Sequence, residues 1–173
     1  GAAATRSQPT RASVCAALDA TSSSLVAYVR WASLKRVAGT GKIDFDDHYS
    51  AVVLGKGCRV RPVPLGDAAE IDAAIKGWRD TIAAATTCMS KRRRATFCRA
   101  AFAAMDTAGA ALRKRVWDPV QAHVGKVGRV WISPDAELTR VAFDALPDPN
   151  GRYLVQDREL AVLPYPAAAV RAK

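Results

Sequence analysis

Apolar residues recur along this chain in two rhythms, and the places where the rhythm changes mark its parts. The run LVAYVRW at Leu25 to Trp31 carries the β-branched and aromatic content of a strand, and Ala38 to Asp47, with Gly39, Gly41 and three acids, reads as a loop. Two further strand-type runs, His48 to Leu54 and Cys58 to Leu65, are separated by Gly55-Lys56-Gly57, a hairpin signal. In the second, Arg59 and Arg61 alternate with Val60 and Pro62, so that strand is expected at a sheet edge, where one face is solvated and proline is tolerated. After Gly66 the spacing becomes helical. Asp67 and Glu70 form a capping-box pattern, and Ile71, Ile75, Trp78 and Ile82 follow at steps of four, three and four. A second helix is predicted from about Ala95 to Val116. Its apolar face holds Cys98, Phe102, Met105, Leu112 and Val116, and Arg99, Asp106 and Arg113 lie opposite. Asp118-Pro119 opens a short third piece through Val124.

The strand rhythm then returns. RVWIS at Arg129 to Ser133 reads as a buried strand turned by Pro134-Asp135, and Phe143 to Leu146 forms a short element. Pro147 to Gly151 is dense in turn residues, with Tyr153 to Val155 and Glu159 to Leu163 as further short strands. Strands, a helical pair and strands again indicate a three-layer α/β domain or an α+β unit. Residues 1–24 are expected to be a flexible leader, with residues 25–173 as the folded portion.

Composition alters this outline in three ways. The 173 residues carry 26 Lys and Arg against 16 Asp and Glu, a formal charge of +10, which favours acidic partners. No stretch approaches the roughly 20 apolar residues that cross a bilayer, and no signal-type apolar run opens the chain, so a cytoplasmic protein with no membrane partner is expected. Cys15, Cys58, Cys88 and Cys98 lack the dense spacing of a secreted disulfide scaffold and are read as reduced thiols. Gly1 in place of an initiator Met leads us to expect a longer natural chain.

Two ordered blocks then become informative. YSAVVLGKGCRVRPVPLGDAAEIDAAIKGWRDTI, Tyr49 to Ile82, and VWISPDAELTRVAFDALPDPNGRYLVQDRELAVLP, Val130 to Pro164, resemble successive parts of the CHAT domain. This is a bacterial, caspase-like family of clan CD cysteine peptidases often found beside TPR repeats. The first block is similar to the family's hairpin and its helix with Ile-Asp and Trp-Arg. The second resembles its Pro-Asp-Gly turn, Pro-Phe-x-x-Leu element, Gly-x-Tyr-Leu and Leu-Pro. Ala136 replaces the turn glycine and Ala142 the proline before Phe143, so a different turn type is expected at Ala136.

The resemblance implies the amino-terminal half of a caspase-like three-layer sandwich. It implies a histidine followed by glycine after one strand and a cysteine after a later one, and both are expected beyond Lys173. A carboxyl-terminal half carrying that dyad, a protein substrate and a regulatory TPR region are the implied partners. Alone, the chain is expected to be inactive, and with an unpaired sheet edge it is expected not to be monomeric. By the same resemblance the loop Ser133 to Leu138 borders the substrate groove, where Asp135 and Glu137 would accept a basic side chain.

Other candidates are weaker. His48 precedes Tyr49 and His123 precedes Val124, so neither matches the family's histidine. No CxxC, CxxH or HxxxH occurs, and neither a metal site nor a cofactor is expected. Gly39-Thr40-Gly41-Lys42 lacks the phosphate-loop spacing, and Asp44, Asp46 and Asp47 lack the glutamate that closes a calcium loop. Lys91, Arg92, Arg93 and Arg94, with Arg99, Arg113, Lys114 and Arg115, place eight basic residues and only Asp106 between positions 91 and 115. The alternative function is therefore a noncatalytic module contacting nucleic acid or an acidic protein through that helix.

Overall fold

The computed structural model describes residues 9–90 and 95–170. Its frame is a five-stranded mixed sheet in the order β3-β2-β1-β4-β5. β1 (Ser23–Arg36) and β2 (Ile43–Gly55) form a long antiparallel hairpin, in register from Leu25 opposite Leu54 to Arg36 opposite Ile43. The loop expected over Ala38 to Asp47 shrinks to its tip, because the acids lie within β2 and meet cations of β1. Asp47 pairs with Arg30 at 2.8 Å and Asp46 with Lys35 at 3.4 Å. Cross-strand pairs of opposite charge stabilise extended backbone where composition alone suggested a turn.

A 3-10 turn at Lys56–Cys58, with Gly57 at φ +66°, leads into β3 (Arg59–Asp67). β3 lies at the sheet edge as its prolines predict. Asp67 Oδ1 then accepts from the Glu70 amide at 2.9 Å and opens α2 (Ala68–Ser90). The stripe Ile71, Ile75 and Trp78 is buried, and Ile82 is partly so. α3 (Ala95–Val116) packs against α2, and α4 (Asp118–Val124) follows with Pro119 in its first turn. These three helices cover one sheet face over Val26, Tyr28, Tyr49, Ala51, Val130 and Ile132.

β4 (Arg129–Ser133) runs parallel to β1, and β5 (Glu159–Val162) runs parallel to β4. Between them lie 3-10 turns at Ala136–Arg140 and Phe143–Ala145. The strand expected at Tyr153–Val155 reduces to a single bridge between Tyr153 and Pro147. The chain enters a short helix at Leu154–Asp157 instead, with Gln156 Oε1 accepting from the Tyr153 amide at 2.9 Å.

The leader departs most from expectation. Residues 11–20 form a helix whose Thr10 and Ser13 cap one another reciprocally. We number α1 as Arg11–Ala20, and the short helix at Leu154–Asp157 as α5. Val14 and Leu18 of α1 bury against Leu25, Trp131 and Leu163 on the sheet face opposite α2, so helices lie on both faces in an α/β sandwich. The helix escaped notice because serine stands where a capping box normally has Glu or Gln, and because its apolar stripe is short.

The thiol expectation is also overturned. Cys15 is bonded to Cys58, and Cys88 to Cys98, leaving no free cysteine. The first bond fastens α1 to the turn before β3, and the second closes the passage from α2 to α3. The partners are 43 and 10 residues apart and meet only through tertiary folding, so spacing gave no warning. Disulfides persist chiefly in oxidising surroundings, so the cysteines lend no support to a cytoplasmic placement. No helix among the described residues is long and apolar enough to cross a membrane.

Replacing Cys15 and Cys58 together by serine should lower stability by about 4 kcal/mol on the loop-closure account, read as a lower denaturant midpoint. A second test concerns Gly109 in α3. A Cβ there would lie 2.7 Å from Pro147 Cδ and 2.8 Å from Trp78 Nε1. Gly109→Ala should destabilise by about 1–3 kcal/mol despite the helix preference for alanine, because neither ring can withdraw freely. A rise in melting temperature would show that α3 stands further off.

A candidate substrate groove at the end of the parallel strands

β1 is nine residues longer than its parallel neighbour β4: Ala27 lies opposite Ser133, and β1 then continues alone on that side to Arg36. The first exposed backbone donor beyond this point is the Arg30 amide. Asp135, just past β4, takes it at 2.9 Å through Oδ2 and accepts from the Ala136 amide at 2.9 Å through Oδ1. Its carboxylate therefore clamps the loop after β4 to the free edge of β1. Ala136 itself has φ +48°. The expected change of turn type is thus not found: alanine holds the left-handed conformation that favours glycine, fixed by the Asp135 cap.

The Arg30 side chain lies opposite Tyr49 on the helix-covered face. Its guanidinium binds Asp47 at 2.8 Å and Asp72 of α2 at 3.1 Å. These carboxylates, the hydrogen bond to Asp47 first, hold the guanidinium above its ordinary value. Tyr49 Oη donates to Asp72 at 2.9 Å and accepts from the Glu137 amide at 3.2 Å. One hydroxyl thus ties the sheet, α2 and the loop after β4 together. Burial, reinforced by Asp72, pushes this tyrosine up to about 12.

These groups floor and flank a cleft of about 930 Å³ between α2 and the 3-10 turn at Ala136–Arg140. Arg30, Lys76, Arg79 and Arg140 line it, together with Asp72, Asp80 and Glu137. Lys76 pairs with Asp80 at 2.6 Å and Arg140 with Glu137 at 3.3 Å, while Arg79 has no ion pair among the described residues. The lining is polar and carries both signs of charge.

The two acids expected at the groove therefore separate. Glu137 lines the cleft, half-exposed, and its only ion pair among the described residues is the long one to Arg140. Asp135 has both oxygens committed to backbone amides and acts on the loop. Sequence reasoning passed over Arg30, Tyr49 and Asp72. A signal existed, because Arg30 and Asp72 each interrupt an otherwise apolar face.

Among the described residues, Arg113, Lys114 and Arg115 of the basic helix do not share one surface. Arg113 is buried, bonded to Asp118 at 3.2 Å and directed at Gln121 Oε1 and the Arg152 carbonyl. Arg115 pairs with Glu70 at 2.8 Å, and Lys114 is exposed. Lys91, Arg92, Arg93 and Arg94 lie outside the described residues. His48 sits beside Trp31, with Nε2 3.1 Å from Ser33 Oγ, and His123 is exposed on α4.

An α/β sandwich with a polar cleft beyond its parallel strands is a common enzyme architecture. The family model of the CHAT domain matches residues 106–173, the carboxyl-terminal part of the chain. The match takes in Val130 to Pro164 but not the block from Tyr49 to Ile82. No curated protein and no solved structure matches the chain.

Tyr49→Phe removes a donor to Asp72 and an acceptor for the Glu137 amide, and should cost about 1–3 kcal/mol in urea unfolding. The tyrosine also sets a pH dependence. Its folded value lies above the ordinary 10, so its contribution is whole below pH 10 and is lost as pH rises towards 12. The wild-type midpoint should fall more steeply over that range than that of Tyr49→Phe.

Proposed function

We propose that this chain is the scaffold and substrate-groove portion of a CHAT-type caspase-like cysteine peptidase, with its His/Cys dyad supplied from outside these residues. The observation that carries the reading is a cleft past the carboxyl end of β4, one wall of which, Glu137, Arg140 and Ala142, belongs to the segment that matches the family. The cysteines agree: all four are engaged in disulfides, so none offers the thiolate that such chemistry requires.

In the reaction the family implies, a thiolate attacks the peptide carbonyl carbon and an imidazole holds the thiol proton. Backbone amides stabilise the oxyanion, and the proton then passes to the departing amine. This chain supplies the binding surface. Glu137 receives a basic side chain of the substrate in exchange for Arg140, while Asp135 holds the loop on β1 and Tyr49 fixes the loop to α2. A TPR region is the regulatory partner that the resemblance implies.

The test is complementation. The chain alone should not cleave peptides, and mixing it with the carboxyl-terminal half of the domain should give hydrolysis that alkylating that half abolishes. In the complex, Glu137→Gln should lower kcat/KM for substrates with Lys or Arg by about tenfold relative to acidic ones, the worth of one charged hydrogen bond. Hydrolysis by the isolated chain, lost on alkylation of its own cysteines after reduction, would overturn the proposal.

A further inference from the structure

Away from the groove, at the opposite end of the sheet, lies a second concavity whose charge is one-sided. It measures about 390 Å³ and is walled by the turn into β3, the start of β3, and the chain from the end of α4 towards β4. Lys56, Arg59, Arg61 and Lys126 line it with the imidazole of His123, and no carboxylate does. None of the four cations takes part in an ion pair among the described residues. In the groove, by contrast, three of four cations have acidic partners.

The arrangement follows from the fold. Arg59 and Arg61 sit two apart on β3 and share a face with buried Val63, so both point towards the helices that cover that face. Gly55 brings the turn against the end of α4, where a Cβ would lie 3.7 Å from the His123 carbonyl oxygen. The carboxyl end of a helix draws positive charge, but its dipole amounts to about half an elementary charge. Four converging cations exceed what the seven-residue α4 neutralises.

We infer that this pocket binds a compact, multiply charged phosphate anion. The guanidinium groups of Arg59 and Arg61 suit phosphate oxygens through paired N–H donors, and Lys56 and Lys126 add point charge. The cations enclose a hollow and are not strung along a stripe, and no Phe, Tyr or Trp lines it to form a platform for successive bases. A small polyphosphate therefore fits the site better than a nucleic-acid strand.

Inorganic tripolyphosphate is the probe, titrated into the 173-residue chain by calorimetry at low and moderate salt. Saturable binding is expected, weakened about tenfold or more by Arg59→Gln with Arg61→Gln, the loss of two charge-assisted contacts. The matched control, Lys42→Gln with Lys114→Gln, removes the same charge from exposed sites elsewhere and should leave affinity within about twofold. Thermal melts of both variants should match the wild type, since all four residues are exposed. Equal weakening by the two pairs would mean diffuse attraction and overturn the site. So would failure of tripolyphosphate to bind, or a single-stranded oligonucleotide binding more tightly through Arg59 and Arg61.

Discussion

β1 is the constraint on which the rest of the molecule depends. It is the strand that joins an antiparallel half, β3 and β2, to a parallel half, β4 and β5. Antiparallel neighbours need only a turn between them, whereas a parallel neighbour needs a crossover long enough to return the chain to the starting end. Here the crossover contains a hairpin arm and three helices, and it delivers β4 beside the first five residues of β1. The unequal lengths leave β1 projecting past β4. Asp135 closes onto the first exposed amide, and the cleft opens beside it.

The same arrangement explains the division of labour among the acids. A carboxylate facing a free strand edge is taken by backbone donors, as Asp135 is, whereas one two residues later lines the cleft, as Glu137 does. Both were foreseeable as turn residues next to a strand. Which would stay available depended on how far the neighbouring strand extends, and that is decided by the β1–β2 pairing.

Much of the fold was legible where one rhythm ran long enough. Ile71, Ile75 and Trp78, with Asp67 before them, gave α2, and the alternation of Arg59 and Arg61 with Val60 and Pro62 gave the edge position of β3. Signals failed where a distant partner decided the outcome. Asp44, Asp46 and Asp47 looked like loop residues until β1 supplied Arg30 to Asp47 and Lys35 to Asp46. Residues 11–20 looked loose until the Trp131 face gave Val14 and Leu18 somewhere to bury. The network of Arg30, Tyr49 and Asp72 joins three elements, β1, β2 and α2, whose contact no local spacing announces. The disulfides were invisible for the same reason, since neither pair is close in sequence to a recognisable motif.

The bond between Cys88 and Cys98 turns the junction of α2 and α3 into a covalently closed ring. Hydrolysis of any single peptide link inside that ring would yield two polypeptides that still travel as one molecule until a reductant separates them. The length of intact backbone and the size of the assembled particle are therefore independent quantities in this region.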